Sequence, residues 1–96
     1  SDSVYDYICR IIAHTRDTEK YGEILYGASP RASLALLKTS KVIAALEGRS
    51  FVIPEDIKQV AHGVLRHRII LNYEALAEGI STDDMIEKIL GDTIID

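Results

Sequence analysis

Apolar residues recur every three or four positions along most of this chain, and this spacing restricts its possible folds more than any other feature. The clearest case follows Pro54-Glu55-Asp56, because proline in a first turn and acids at the positive end of a helix dipole both indicate a helix start. The apolar stripe of this helix is Ile57, Val60, Ala61, Val64 and Leu65. A helix that is apolar along one stripe has to bury it against a neighbour, so the pattern predicts helices packed on helices.

Two segments before it carry the same periodicity. A first helix is predicted over residues 3–15, with Asp2 or Ser3 as its cap, and a second over residues 30–47, with Gly48 after its end. The stripe of the second helix is the longest, and we therefore expect this helix to lie at the centre of the core. Its members are Ala32, Ala35, Leu36, Thr39, Val42, Ile43 and Leu46, widened by Leu34, Leu37 and Ala44.

The segments between these helices lack the periodicity. Residues 16–26 are predicted as an irregular link that ends in a short extended piece, residues 24–26. Residues 49–53 are predicted as a second link that forms either a brief strand or an anchor. A turn is predicted near His67, because Arg68 would otherwise fall on the apolar stripe of the third helix.

The last third of the chain combines two shorter helical signals. Residues 72–78 are predicted to form a helical turn that ends at Gly79. Ser81 or Thr82, followed by Asp84, resembles a capping box and predicts the start of a final helix. The apolar stripe of that helix is Met85, Ile86, Ile89 and Leu90.

Together these elements predict an all-α chain, a small bundle of about four helices with irregular connections. A chain of 96 residues is long enough for one domain, which we predict over residues 1–90, with residues 91–96 as a tail or linker. Its apolar runs are too short to cross a membrane. No signal peptide is recognised, and Cys9, the single cysteine, is expected to be a small packed side chain in a reducing compartment, so we expect a cytoplasmic protein.

The chain shows no complete motif for catalysis or metal binding. The residues from Gly22 to Ala28 resemble a phosphate-binding loop, but Ala28 stands where the lysine that reaches the phosphates is required. His62 and His67 lie five residues apart, roughly 140° around a helix, and His14 is remote in sequence, so we expect no metal site. A net charge of −4 disfavours nucleic acid as a direct partner.

One residue breaks a local rule. Ser29 is predicted as the N-cap of the second helix and Pro30 as its first residue, which puts Arg31 in the first turn. A cation there is disfavoured by about 0.3–1 kcal/mol, because the N-terminus is the positive end of the helix dipole. Such exceptions are expected at functional sites, so these three residues are the candidate site. Arg66 and Arg68 are a second candidate, with a solvated helix end as the simpler interpretation.

Several short motifs follow one another between Gly27 and Leu90. They are Gly27-Ala-Ser-Pro-Arg31-Ala32, Leu36-Leu37, Gly48-Arg49, Val52-Ile-Pro-Glu-Asp-Ile57, Val64-Leu-Arg-His-Arg-Ile69, Glu74-Ala75 and Glu78-Gly79. In this order and at these distances they resemble the C-terminal helical lid of MoxR-type AAA+ ATPases. Residues 3–17, which include Ala13-His-Thr-Arg16, resemble the helix that opens this lid, and the last six residues carry no resemblance.

The resemblance implies a role for Arg31. At the matching position the family has its sensor-two arginine, which reaches from the lid to the terminal phosphate of ATP held by the large domain. The forked guanidinium suits bidentate contact with phosphate, and an exposed helix start would add free N–H donors. With Arg31, the matching residues Ser29 and Pro30 are expected to bind the ATP cofactor.

The resemblance also implies that the chain is a lid excised from a longer ATPase. No Walker A or Walker B motif, sensor-one residue or arginine finger is recognisable, so the fragment alone is expected neither to hydrolyse ATP nor to bind Mg²⁺, which the parent protein would use. Expected partners are the large nucleotide-binding domain of the same chain, neighbouring subunits of a ring such as a hexamer, and a von Willebrand A domain protein. The implied task is chaperone-like assembly, maturation or metal insertion of client proteins.

A second interpretation stays open on the residues alone. The chain could be a free-standing helical protein–protein interaction domain whose apolar grooves hold a partner helix, with Arg31 only a surface residue. The two interpretations differ in what precedes Ser1 in the intact protein, because the first requires a nucleotide-binding domain there.

Overall fold

Residues 2–95, which the computed structural model describes, form five helices and a two-stranded sheet. The elements are α1 (Asp2–Thr15), β1 (Ile24–Tyr26), α2 (Ala32–Leu46), α3 (Pro54–Leu65), β2 (Ile70–Leu71), α4 (Tyr73–Ala77) and α5 (Thr82–Asp92). This confirms the predicted small, mostly helical fold with irregular connections. Of the two caps predicted for the first helix, Ser3 lies inside α1 rather than before it. The Asp2 side chain lies outside the described part of the molecule, and so do Ser1 and Asp96.

The boundaries of the later helices follow their sequence signals closely. Ser81 accepts a hydrogen bond from the Asp84 amide at 3.0 Å, and Asp84 accepts one from the Ser81 amide at 2.9 Å, which is the predicted capping box of α5. Gly79 ends α4 with a φ of +82°, which an L side chain adopts only with strain. Helix α5 extends to Asp92, and the division of the chain after residue 90 stays a prediction.

The extended piece predicted at residues 24–26 is β1, and its partner was not foreseen. β2 runs antiparallel to it, with Ile24 opposite Leu71 and Tyr26 opposite Ile70. Two residues are too few to show an alternating pattern, so no sequence signal marked this strand. Residues 51–53, by contrast, form no strand, and of the two alternatives for this link it is the anchor that applies, since Val52 packs against the core.

Helix α1 supplies the centre of the core. Tyr7, Ile8 and Ile11 are buried almost completely, and α1 packs against α2, α3 and α5. Helix α2 packs against both α1 and α3, but its predicted stripe was wrong in part: Val42 is exposed, and Leu46 keeps 79% of its surface. The face that α2 does bury is made mostly of small side chains, namely Ala32, Ser33, Leu36, Ser40 and Ala44. Apolar residues surround α2 on nearly all sides, so their spacing alone could not show which side faces inward.

A buried tyrosine ties the first link to both ends of the fold. The hydroxyl of Tyr21 donates to Asp92 Oδ2 at 2.9 Å and lies 2.8 Å from Nδ1 of His14. Because this hydroxyl has one proton, His14 has to donate from Nδ1 to the tyrosine oxygen. Burial first, and then the bond to Asp92, raise the pKa of Tyr21, so it stays protonated at neutral pH.

A histidine joins α3 to α5. Nδ1 of His62 lies 2.9 Å from Asp83 Oδ1, and Nε2 lies 2.6 Å from Glu87 Oε1, so both ring nitrogens face carboxylates. Arg66 donates to the same Asp83 oxygen at 3.0 Å. Partial burial alone would lower the pKa of His62, but the bonds to Glu87 and Asp83 outweigh it and raise the pKa above 6.5. The doubly protonated ring can donate both bonds, and the neutral ring only one.

Stability is therefore expected to fall as pH rises through the range in which His62 loses its proton. A folded-state pKa above the unfolded one contributes stability that is complete below about pH 6.5 and is lost as pH passes the raised value. Urea unfolding of this domain between about pH 6 and about pH 9 measures the effect. His62→Gln should flatten the curve, and His67→Gln, at an exposed histidine, should leave it unchanged. Equal slopes for wild type and His62→Gln would contradict this assignment.

Candidate functional site

The candidate residues Ser29, Pro30 and Arg31 lie together and exposed at the entrance to α2. The regular helix begins at Ala32, two residues later than predicted. It is preceded by three-residue turns in which Ala32, Ser33 and Leu34 donate to the carbonyls of the three candidate residues at 2.9–3.1 Å. This lead-in has the bonding pattern of a 3₁₀ helix.

Two expectations about this helix start were therefore wrong. The N-terminus of α2 has no side-chain cap, so the Ser29 hydroxyl does not cap it, and the Ser29 carbonyl accepts the Ala32 amide instead. The amides of Ala32, Ser33 and Leu34 are occupied by those short turns, so they are not free donors. The Ser33 hydroxyl also bonds back to the Pro30 carbonyl. The segment is thus internally bonded, and the charged group that it presents to solvent is the Arg31 guanidinium.

Arg31 differs from the other arginines in what it contacts. Arg31 is exposed, and its guanidinium forms no hydrogen bond or ion pair with any residue between 2 and 95. The others each bond to a carboxylate or a backbone carbonyl: Arg10, Arg16, Arg49, Arg66 and Arg68. Arg31 is therefore a free cation at the positive end of a helix, an arrangement that costs free energy until an anion binds.

The residues before the candidate site are fixed by the end of α1. Ala28 is fully buried, and its amide donates to the Thr15 hydroxyl at 3.0 Å. That hydroxyl donates in turn to Ile12 O at 2.7 Å, so it is oriented to accept. Gly27 lies so close to α1 that a Cβ atom there would stand 2.0 Å from the Thr15 carbonyl oxygen. The site is therefore held backbone to backbone against α1.

A shallow groove of about 350 Å³ runs beside the site, between the end of α1 and the start of α2. It is lined by Cys9, Ile12, Ala13, Arg16, Pro30 and Ser33. Cys9 is exposed here, so the prediction of a packed cysteine was wrong.

Arg66 and Arg68, the second candidate, have structural contacts. Arg66 pairs with Asp83 at 3.0 Å, and Arg68 bonds to the Val64 carbonyl and so closes the end of α3. In the described residues, no three His, Cys, Asp or Glu side chains are placed to hold a metal ion. None of the helices between residues 2 and 95 has the length and apolar character that a membrane crossing needs.

Sequence reasoning found Arg31 and missed what holds it. Thr15, Arg16 and Gly27 carry no local signal for these contacts, because the partners stand 12 or 13 residues apart across an irregular link. The glycine itself was a possible clue, since a strand followed directly by glycine can mark a close backbone approach.

Comparison with known proteins places the chain among AAA proteins. Residues 16–89 match the family described as the AAA lid domain. The chain is 39% identical over 94 residues to the chaperone MoxR1 of Mycobacterium tuberculosis, an alignment that covers 92% of this chain and 25% of the relative. It is 37% identical over 62 residues to the magnesium-chelatase subunit ChlI of Chlorella vulgaris, which covers 64% of this chain and 18% of the relative.

The fold has a counterpart in a crystal structure of a provisionally assigned ATPase from Cytophaga hutchinsonii. That structure matches all of this chain with a TM-score of 0.93 and 47% identity, and the match covers 31% of the longer chain. The chain thus spans about a fifth to a third of the length of these relatives.

The close contact at Gly27 yields a test with a matched control. Gly27→Ala should destabilise the domain by about 1–3 kcal/mol, because the new methyl group would force backbone apart. Gly63 lies inside α3 with open space around it, so Gly63→Ala should stabilise by about 0.5–1 kcal/mol through better helix propensity. Chemical unfolding of the two variants measures both. An unchanged or higher stability of Gly27→Ala would show that Gly27 is not packed as described.

Proposed function

This chain belongs to the AAA lid domain family and is a lid of the MoxR type, and we propose that it acts through Arg31 on ATP held by the large domain of the same protein. The observation that carries this proposal is the exposed Arg31 guanidinium without a partner. ATP supplies a terminal phosphate group with a high negative charge. Arg31 would contact that charge as a sensor-two residue, and its planar fork suits phosphate oxygens.

The surroundings of Arg31 fit an anionic ligand. None of the hydrogen bonds that hold the segment from Gly27 to Arg31 involves a carboxylate, and the neighbouring Arg16 adds a second positive charge. The chain as a whole has a net charge of −4, so the positive charge at this corner departs from its average. Ser29 and Pro30 act through the backbone: they form the stiff lead-in that presents Arg31 and need not touch the nucleotide.

The lid would couple hydrolysis to movement. Arg31 directly precedes α2, and α2 packs against α1 and α3. A displacement of the guanidinium would therefore be passed to the helical core and not absorbed by a flexible loop. In the intact protein we propose ATP and Mg²⁺ as the ligands of the large domain, and a cytoplasmic ring, such as a hexamer, as the assembly. The proposed task is chaperone-like assembly, maturation or metal insertion of client proteins, with a von Willebrand A domain protein as a partner.

The outer face of α2 supports packing against a protein surface. Leu34, Val42 and Leu46 are each more than half exposed and stand at multiples of four residues, so they share one side of the helix. A lid that packs on a large domain or a neighbouring subunit would cover such a face. The same face is what a free-standing interaction domain would use, but that alternative gives no role to Arg31.

The test is ATP turnover by the intact protein with Arg31→Ala. We expect turnover to fall by about 10²-fold or more, a loss of roughly 2.7 kcal/mol of transition-state stabilisation, with an unchanged melting temperature. Arg31→Lys should retain part of the activity, since it keeps the charge and loses the fork. Lys58→Gln, on α3, removes a surface charge outside this corner and serves as the control. Normal turnover by Arg31→Ala would reject the sensor-two role.

A further inference from the structure

The end of α1 holds both backbone groups of Ala28, three residues before Arg31. Thr15 accepts the Ala28 amide at 3.0 Å, and the next residue, Arg16, donates from Nη1 to the Ala28 carbonyl at 3.2 Å. Arg16 contacts no carboxylate among the described residues, and its other guanidinium donors have no partner there. It is unusual for a long charged side chain at the edge of a site to bond to a single backbone carbonyl, and this contact suggests a specific role for Arg16.

We propose that Arg16 is a positioning residue for Arg31, an inference that rests on the proposed function. Arg16 fixes the direction of the Ala28 carbonyl, and with it the direction in which the chain enters α2. It acts on ATP only through Arg31.

The segment between the two arginines transmits this orientation. The ring of Pro30 holds φ near −65°, and Arg31 has φ −63° and ψ −24°. The Ser29 carbonyl accepts the Ala32 amide at 2.9 Å, so the turn is closed by its own hydrogen bond. The closed turn and the proline ring restrict the backbone between the Ala28 carbonyl and the Arg31 Cα, so a rotation at the first changes the position of the second.

The energetics separate positioning from folding. Gly27 is already docked by the close backbone approach, and the buried Ala28 is docked by its bond to the buried Thr15 hydroxyl. Arg16 is exposed but Ala28 is buried, so the loss of this hydrogen bond leaves the Ala28 carbonyl without its donor, a cost that the docked backbone has to tolerate. Removal of the Arg16 side chain should leave the domain folded but let the position of the Arg31 guanidinium vary. A misplacement of about 1 Å can lower the rate by as much as 10²-fold.

The experiment is a double-mutant cycle in the intact protein that contains this lid, with wild type, Arg16→Gln, Arg31→Ala and the double variant. For each we would measure kcat and KM for ATP and the melting temperature. Arg16→Gln should lower kcat by about 10-fold in the wild-type background and by less than about twofold in the Arg31→Ala background. Arg16→Lys, which can still reach a carbonyl as a donor, should recover most of kcat, and Lys58→Gln should match wild type.

Each outcome separates this inference from the function on which it rests. If Arg16→Gln lowers kcat by the same factor in both backgrounds, Arg16 acts independently of Arg31 and the inference is overturned. If Arg31→Ala is impaired but Arg16→Gln is not, the inference alone fails and the sensor-two role stands. If Arg31→Ala is unimpaired, the proposed function itself fails. Should Arg16→Gln not fold, the cycle is run with Arg16→Met, which keeps the aliphatic stem and removes every donor, against the same criterion.

Discussion

The contact between Gly27 and the last turn of α1 is the constraint on which the rest of the site depends. It brings two backbone segments together with no side chain between them, and a Cβ atom at residue 27 would stand 2.0 Å from the Thr15 carbonyl oxygen. The Thr15 hydroxyl then satisfies the buried Ala28 amide, which would otherwise carry the cost of an unpaired donor. With both residues fixed, the position of Arg31 follows from a short, internally bonded turn. A flexible side chain between the segments would not give the same reproducible geometry.

Much of the architecture could be predicted from local signals, and the reasons differ by element. Helix α3 begins at Pro54, where proline, two acids and an apolar stripe agree, and α5 begins at a capping box whose two hydrogen bonds are formed. Such signals depend on neighbouring residues and are therefore readable in one sequence. Arg31 was identified for a similar reason, because its conflict with the helix dipole is also local. Its role at ATP was inferred from resemblance to a family.

What could not be predicted depends on contacts between distant residues. The strand β2 has two residues and exists only because β1 lies beside it. The orientation of α2 is set by which face allows close approach to α1 and α3, and small side chains such as Ala44 and Ser40 win over larger apolar ones. Exposure of Leu46 to solvent is unfavourable in the isolated domain, and a protein surface that covered this side chain would remove the unfavourable term. Hydrophobic spacing ranks residues only by their hydrophobicity, so it cannot predict when close helix packing favours burial of small side chains over larger apolar ones.

Helix α2 joins the two features of this domain that face outward. Its first turn follows directly on Arg31, and its last residue, Leu46, belongs to the exposed apolar face. Fifteen residues at 1.5 Å each make the helix about 22 Å long. A tilt of about 10° about the Arg31 end would therefore move Leu46 by about 4 Å, close to the width of a methyl group. If Arg31 contacts a phosphate group as proposed, α2 would act as a lever that converts this contact into a displacement large enough to change which side chains meet at a protein surface.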